Sequence, residues 1–259
     1  MPAAPWLAPT NPYDLAQVSV LDSHLPPGTE TMDGRVFWLG TDGAGRDLYS
    51  AILYGLRVSL AVGVSSAFIA LLVGMTIGLV AAYAGGRTEA LIMRIVDVQL
   101  SFPAILIALI LLALLGKGVD KIVIALVVAQ WAYYARTVRG SALVERSKEY
   151  VEAARMTGEA DRNIMFMHIL PNCFAPLVVR LSLDFASAIL TESSLSFLGL
   201  GFPPPTPSWG LMLKEVSPFL ELQPWAAFVP GLTISIMILG FNLLGDGLRD
   251  VFDPRQYER

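Results

Sequence analysis

Side chains able to do chemistry are few and scattered in this 259-residue sequence. His24, His168 and the single cysteine, Cys173, lack metal-ligand spacing, and one cysteine rules out an internal disulfide. The run Gly40-Thr41-Asp42-Gly43-Ala44-Gly45-Arg46-Asp47 invites a nucleotide reading and fails it. Arg46 and Asp47 stand where a Walker A loop needs Lys followed by Ser or Thr to hold phosphates and Mg²⁺. A GxGxxG fingerprint is absent too. No ATP site is visible, and no catalytic residue, metal or cofactor is expected in this chain. What remains is charge set inside apolar sequence: Arg180 and Asp184, four apart and so on one helix face, then Glu192, and Asp97 within reach of Arg94. Charges in membrane helices face cavities or pathways, or pair with one another. Arg180, Asp184 and Glu192 are therefore candidates for lining a solute pathway. The plainer reading of Arg180 and Asp184 is a structural pair, and Asp97 also reads as structural.

The elements that position these charges are membrane helices. The chain is 54% hydrophobic and only 15% charged, against roughly 25% charged for a soluble domain. Residues 58–86, 98–116 and 222–245 are long apolar runs of the kind that span a bilayer. Residues 122–135 are short but extend by snorkelling of Lys121 and Arg136, and residues 172–198 are interrupted by the three charges. Five spanning helices are expected. The net charge of −4 decides little, but its distribution decides more. Eleven of the 18 Lys and Arg lie in 85–94, 136–168 and 249–259. The positive-inside rule assigns those segments to the cytoplasm, with the N-terminus outside and the C-terminus inside. Residues 1–16 have neither a basic n-region nor an apolar core, so they are neither signal peptide nor anchor.

The segments between the runs differ in character. Residues 1–55 are rich in Pro, Gly and Asp and read as an extracytoplasmic lead, with 48–56 as a short interfacial helix. Residues 56–248 read as the transmembrane domain and 249–259 as a cytoplasmic tail. Gly74 and Gly78 have the spacing that permits close helix contact, although glycine is also simply frequent in membrane helices. Pro203, Pro204, Pro205 and Pro207 exclude a helix after the fourth run, and Trp209 and Trp225 suit an interfacial aromatic belt. The loop at 142–171 is the least ordinary. Ser147 is placed to cap a helix that Gly158 ends, and a second helix over 161–170 stops at Pro171. Its Ile164, Met165, Phe166, Met167, Ile169 and Leu170 are too many apolar residues for a solvated loop. Such a helix–Gly–helix unit fits a partner's groove, or packs on its own helix ends.

The order of motifs resembles a known family. LGTDGAGRDLYS, RVSLAVG, MRIVDVQLSFP, ARTVRG, the loop EYVEAARMTGEADRNIMFMHILPN, ESSLSFLGLGFPPPTPSWG and FNLLGDGLRDVFDP look like successive segments of C-type permeases of the dipeptide/oligopeptide/nickel ABC importers. The likeness runs from about Trp38 to Pro254. It implies an all-α membrane protein with the type I ABC importer permease fold, in the bacterial inner membrane. It also implies a sixth, N-terminal helix ahead of the region matched by Leu7-Ala8-Pro9. Glu152, Ala153, Ala154, Gly158, Leu170 and Pro171 match the loop through which such permeases couple to their ATPase. The partners implied are a homologous second permease, two ATPase subunits that carry the ATP and Mg²⁺, an extracytoplasmic binding protein and the lipid bilayer, with no nucleic acid. The activity implied is peptide import rather than an enzymatic reaction, with nickel, opine or another small solute as the alternative cargo. From outside the family, a secondary transporter moving protons through Asp97, Asp184 or Glu192, or a scaffold without flux, are the competing readings.

Overall fold

In the computed structural model, residues 7–12, 14, 18–31, 34–203 and 206–252 are described. Nearly all of them from residue 48 onward are helical because the apolar runs leave no other way to satisfy the backbone in lipid. Before that point a short antiparallel hairpin pairs β1 (Thr29–Glu30) with β2 (Val36–Phe37). The helices are α1 (Leu48–Ala84), α2 (Gly86–Leu100), α3 (Ala104–Leu115), α4 (Val119–Arg146) and α5 (Glu149–Met156). A composite α6 follows, built from Asp161–Asn163, a π-helical stretch Ile164–Ile169, and Leu170–Asn172. Then come α7 (Phe174–Phe197), α8 (Trp209–Val216) and α9 (Pro224–Phe252).

Among the described residues, α1, α7 and α9 are each long and apolar enough to cross a membrane. The pair α2 and α3 makes a fourth span if it is taken as one, but it is bent by 86°. The expected straight run 98–116 is therefore broken. Pro103 has no N–H with which to continue α2, so the chain turns at Ser101–Pro103 and restarts at Ala104. The fourth helical element, α4, is 28 residues long and continues past Gly140 to Arg146. It carries Asp120, Lys121, Arg136, Arg139, Glu145 and Arg146, and its mean apolarity falls below that of the other three. Residues 48–56 do not form a separate interfacial helix; they are the first turns of the 37-residue α1. The tail likewise begins as the end of α9, and residues 253–259 lie outside the described residues, as do Pro204 and Pro205.

The chain divides into two units. The first comprises Met1–Val64, Leu111–Val123 and Ala186–Leu239, and the second Ser65–Ile110, Ile124–Phe185 and Gly240–Arg259. In the first, the glycine-rich run near residue 42 closes a buried ionic bracket. Asp42 accepts from the backbone N–H groups of Ala44 and Arg46 at 2.9 Å, and Arg46 reaches Asp42 and Glu215 at 2.6 Å each. Burial opposes charge on Arg46, but the two carboxylates prevail and raise its pKa. Asp47 caps α1 through Ser50 N–H at 3.0 Å. The non-nucleotide reading of this run thus gains a positive account: its charges bind one another. Trp209 is not a belt residue. It is fully buried, with its indole N–H donating to the Ile52 carbonyl at 3.2 Å, in space left by Gly55.

In the second unit, Gly74 and Gly78 bring α1 against α4. A Cβ at Gly74 would collide with the Trp131 carbonyl and with Tyr134, and one at Gly78 with the Ala135 carbonyl. The small-residue spacing is a close backbone contact here rather than a compositional accident. Around it Leu79, Ala82, Tyr134, Val138, Ala142 and Leu177 form a buried core.

Candidate functional site

The loop after α4 is shaped by its own local chemistry. Ser147 turns back, its hydroxyl donating to the Val144 carbonyl at 2.8 Å. The cap position of α5 is therefore Lys148, in an extended conformation and without a capping side chain. The other end of α5 is as expected. Gly158 takes φ +77°, its N–H bonds to the Arg155 carbonyl, and Glu159 N–H bonds to the Ala154 carbonyl. This pair of bonds is the Schellman arrangement, and it turns the chain sharply into α6.

Pro171 does not stop α6. The Leu170 N–H reaches back five residues to Met165, and this widened turn carries the helix through the proline to Asn172. The wider turn also sorts the side chains. Ile164, Ile169 and Leu170 are buried beside Val151 and Ala154 in the core, whereas Phe166 and Met167 point outward. Met156 is 89% exposed and Met167 is 72% exposed. Arg162, Asn163, Phe166 and Met167 line a shallow cleft of about 260 Å³. Of the six motif residues, Ala154 and Leu170 face inward, and Glu152, Ala153, Gly158 and Pro171 are exposed. The loop therefore packs on its own helix ends with one face and leaves the other open.

Two tyrosines also hold it, and neither was singled out in the sequence as an anchor. The Tyr150 hydroxyl donates to Glu145 at 2.8 Å and accepts from Asn172 at 3.2 Å, joining α4, α5 and the end of α6. Partial burial and the neighbouring Glu145 carboxylate push the Tyr150 phenol up to about 12. Tyr83, near the end of α1, bonds to Asp161 and lies under the Arg155 guanidinium at 5.1 Å. A tyrosine one residue before the Ala84-Gly85-Gly86 turn was the available signal for this anchor.

The membrane charges fall into two settings. Arg180 and Asp184 form the expected i, i+4 pair on α7 through two bonds, at 3.1 and 2.8 Å. Asp184 is buried beside Tyr134, and the Arg180 guanidinium lies 4.6 Å over the Tyr133 ring. Glu192 belongs to the first unit. It is fully buried and accepts from Ser59 at 3.0 Å and Ser196 at 2.8 Å. Asp97 pairs with Arg136 at 2.5 Å rather than with Arg94, because α2 lies along α4.

Residues 74–257 match the model of the family described as binding-protein-dependent transport system inner membrane component. The chain belongs to this family. It is a transport permease, a multi-pass membrane protein rather than an enzyme. It is 42% identical to the di/tripeptide transport system permease protein DppC of Pseudomonas aeruginosa, over 97% of this chain and 82% of that one. It is 45% identical to the glutathione transport system permease protein GsiD of Pectobacterium atrosepticum, over 84% of this chain and 72% of that one. The fold is shared with the inward-facing MetNI methionine ABC transporter, at a TM-score of 0.64 and 18% identity over 78% of the permease and 97% of that chain. The type I importer permease architecture follows from that likeness together with the family match.

Proposed function

We propose that this permease forms half of the transmembrane pathway of an ATP-driven importer of short peptides in the bacterial plasma membrane. A homologous second permease completes the pathway, two ATPase subunits bind beneath the pair, one of them on the open face of α5 and α6 of this chain, and an extracytoplasmic binding protein delivers the peptide. The observation that carries this reading is the two-sided loop. Val151, Ala154, Ile164, Ile169 and Leu170 fasten it to α1, α4 and α7, while Met156, Phe166 and Met167 remain uncovered. An element with one face locked into its own helices and one exposed apolar face is built to pass a partner's movement inward. The family's relatives named for di/tripeptide and glutathione transport favour short peptides as cargo.

The test is reconstitution with the neighbouring ATPase, second permease and binding-protein genes, measuring ATP hydrolysis and peptide uptake together. Gly158→Val puts a β-branched side chain at φ +77°, tilting α5 against α6. The expected result is normal insertion with peptide-stimulated hydrolysis and uptake both lost. Retained coupling in that variant would remove the loop from the mechanism. Uptake of nickel or an opine but no peptide would reassign the cargo, and uptake driven by a proton gradient without ATP would overturn the ATPase partnership.

A further inference from the structure

The polar end of α1 holds a cation that peptide transport leaves unused. Arg57 stands where the first turns of α1 give way to its long apolar run, and its side chain is exposed. Arg136, Arg139 and Arg180 each hold a carboxylate. Arg57, among the described residues, holds none. It opens onto a cavity of about 430 Å³ whose walls include Tyr54, Val58, Ala61, Val119 and Thr206, all in the first unit. That volume is in the range of small-ligand sites, roughly 300–1,000 Å³. Two hydroxyl-bearing residues and one arginine therefore line an otherwise apolar recess.

A guanidinium at such a border attracts an anion, and its planar fork matches phosphate oxygens two at a time. The apolar walls ask for hydrocarbon attached to that anion. The same face of α1 continues the demand, because Ala61 and Val64 are exposed at i+4 and i+7, about 10 Å further along the axis. We propose that this recess is a phospholipid site. The phosphate sits on Arg57, the glycerol region lies near Tyr54 and Thr206, and the upper acyl chain runs along Ala61 and Val64. The lipid comes from the leaflet at the end of α1 that carries the N-terminal hairpin. The proposal needs the permease to sit in a bilayer but does not depend on which solute it moves.

The experiment uses the assembled transporter in nanodiscs and a phosphatidylglycerol bearing a diazirine high on one acyl chain. A diacylglycerol with the same chain serves as the phosphate-free comparison. Photolysis followed by peptide mapping should place the phosphatidylglycerol label on α1 near Ala61 and Val64, about tenfold above the diacylglycerol label. Arg57→Gln should bring the two probes level, and Arg57→Lys should keep most of the difference. Equal labelling by both probes in the wild-type protein would overturn the proposal. Because that comparison needs no variant, it decides the matter even where Arg57→Gln fails to assemble. Displacement of the label by peptides with a free C-terminal carboxylate, but not by their amides, would likewise overturn it and move Arg57 into the solute pathway. Loss of peptide transport with labelling intact would instead count against the proposed cargo alone.

Discussion

At the scale of single residues, this permease settles charge in low-dielectric surroundings by pairing it locally. Arg180 and Asp184 are the clearest case, since the carboxylate is buried and the cation it pairs with is one helical turn away. An unpaired charge in a spanning helix costs about 2.5–3.5 kcal/mol on insertion scales. Arg180→Leu alone should therefore reduce the amount of assembled complex several-fold in the membrane fraction, and adding Asp184→Leu should restore most of it. Transport per restored complex then separates the two roles. A near-normal rate means a structural pair, whereas a lost rate means that the pair lines the pathway. Two single variants that both assemble like the wild type would mean that no pair exists. The spacing of this pair was legible because i, i+4 geometry is local. The partner of Asp97 was not, because Arg94 and Arg136 are equally plausible until α2 is laid along α4. Trp209 misled for the same reason: an indole near an apolar run suits a membrane interface as well as a core.

At the scale of elements, α2 and α4 are held together by a polar ladder. Glu89 pairs with Arg139, Asp97 with Arg136, and Gln99 donates to the Val128 carbonyl, so the two helices run antiparallel. The ladder lies on the helix that leads directly into α5, so movement of the loop should carry α2 with it. Arg139→Glu places two carboxylates in contact, and we expect peptide-stimulated ATP hydrolysis to fall at least tenfold with insertion preserved. Adding Glu89→Arg should return most of the activity. Failure of the reversed pair to rescue, in a complex of normal abundance, would show that the ladder only fastens α2. Helix existence was legible along most of the chain from apolar runs and from Gly158. The breaks were harder to read. Pro103 ends a helix and Pro171 does not, because five-residue bonding around Met165 makes room for the second but nothing comparable surrounds the first.

At the scale of the whole molecule, the distribution of Lys and Arg predicts which ends face the cell interior. Cysteines introduced at Glu221, in the segment before α9, and at Ser147, after α4, test this in intact cells, since both positions are exposed. Native Cys173 is buried and should stay silent. An impermeant thiol reagent should label position 221 and spare position 147; the reverse pattern would overturn the orientation. Family and architecture were legible at this scale because the motifs recur in order from Trp38 onward. The number of spans was less so, since the apolar part of α4 is short and flanked by charge, and the α2–α3 bend is a property of backbone rather than of composition.

The contact of Gly74 and Gly78 with α4 also orders events during synthesis. α1 is complete before α2, α3 and α4 have been made, so for that interval the carbonyls of Trp131 and Ala135 do not yet exist to meet it. Entry of α1 into the bilayer must then rest on its own apolarity, and the glycines can act only afterwards, when inserted helices find one another. A bulky side chain at either glycine should leave a chain that is delivered to the membrane and threaded normally, yet never closes. Such a chain would be met by membrane proteases rather than by the machinery that handles failed targeting.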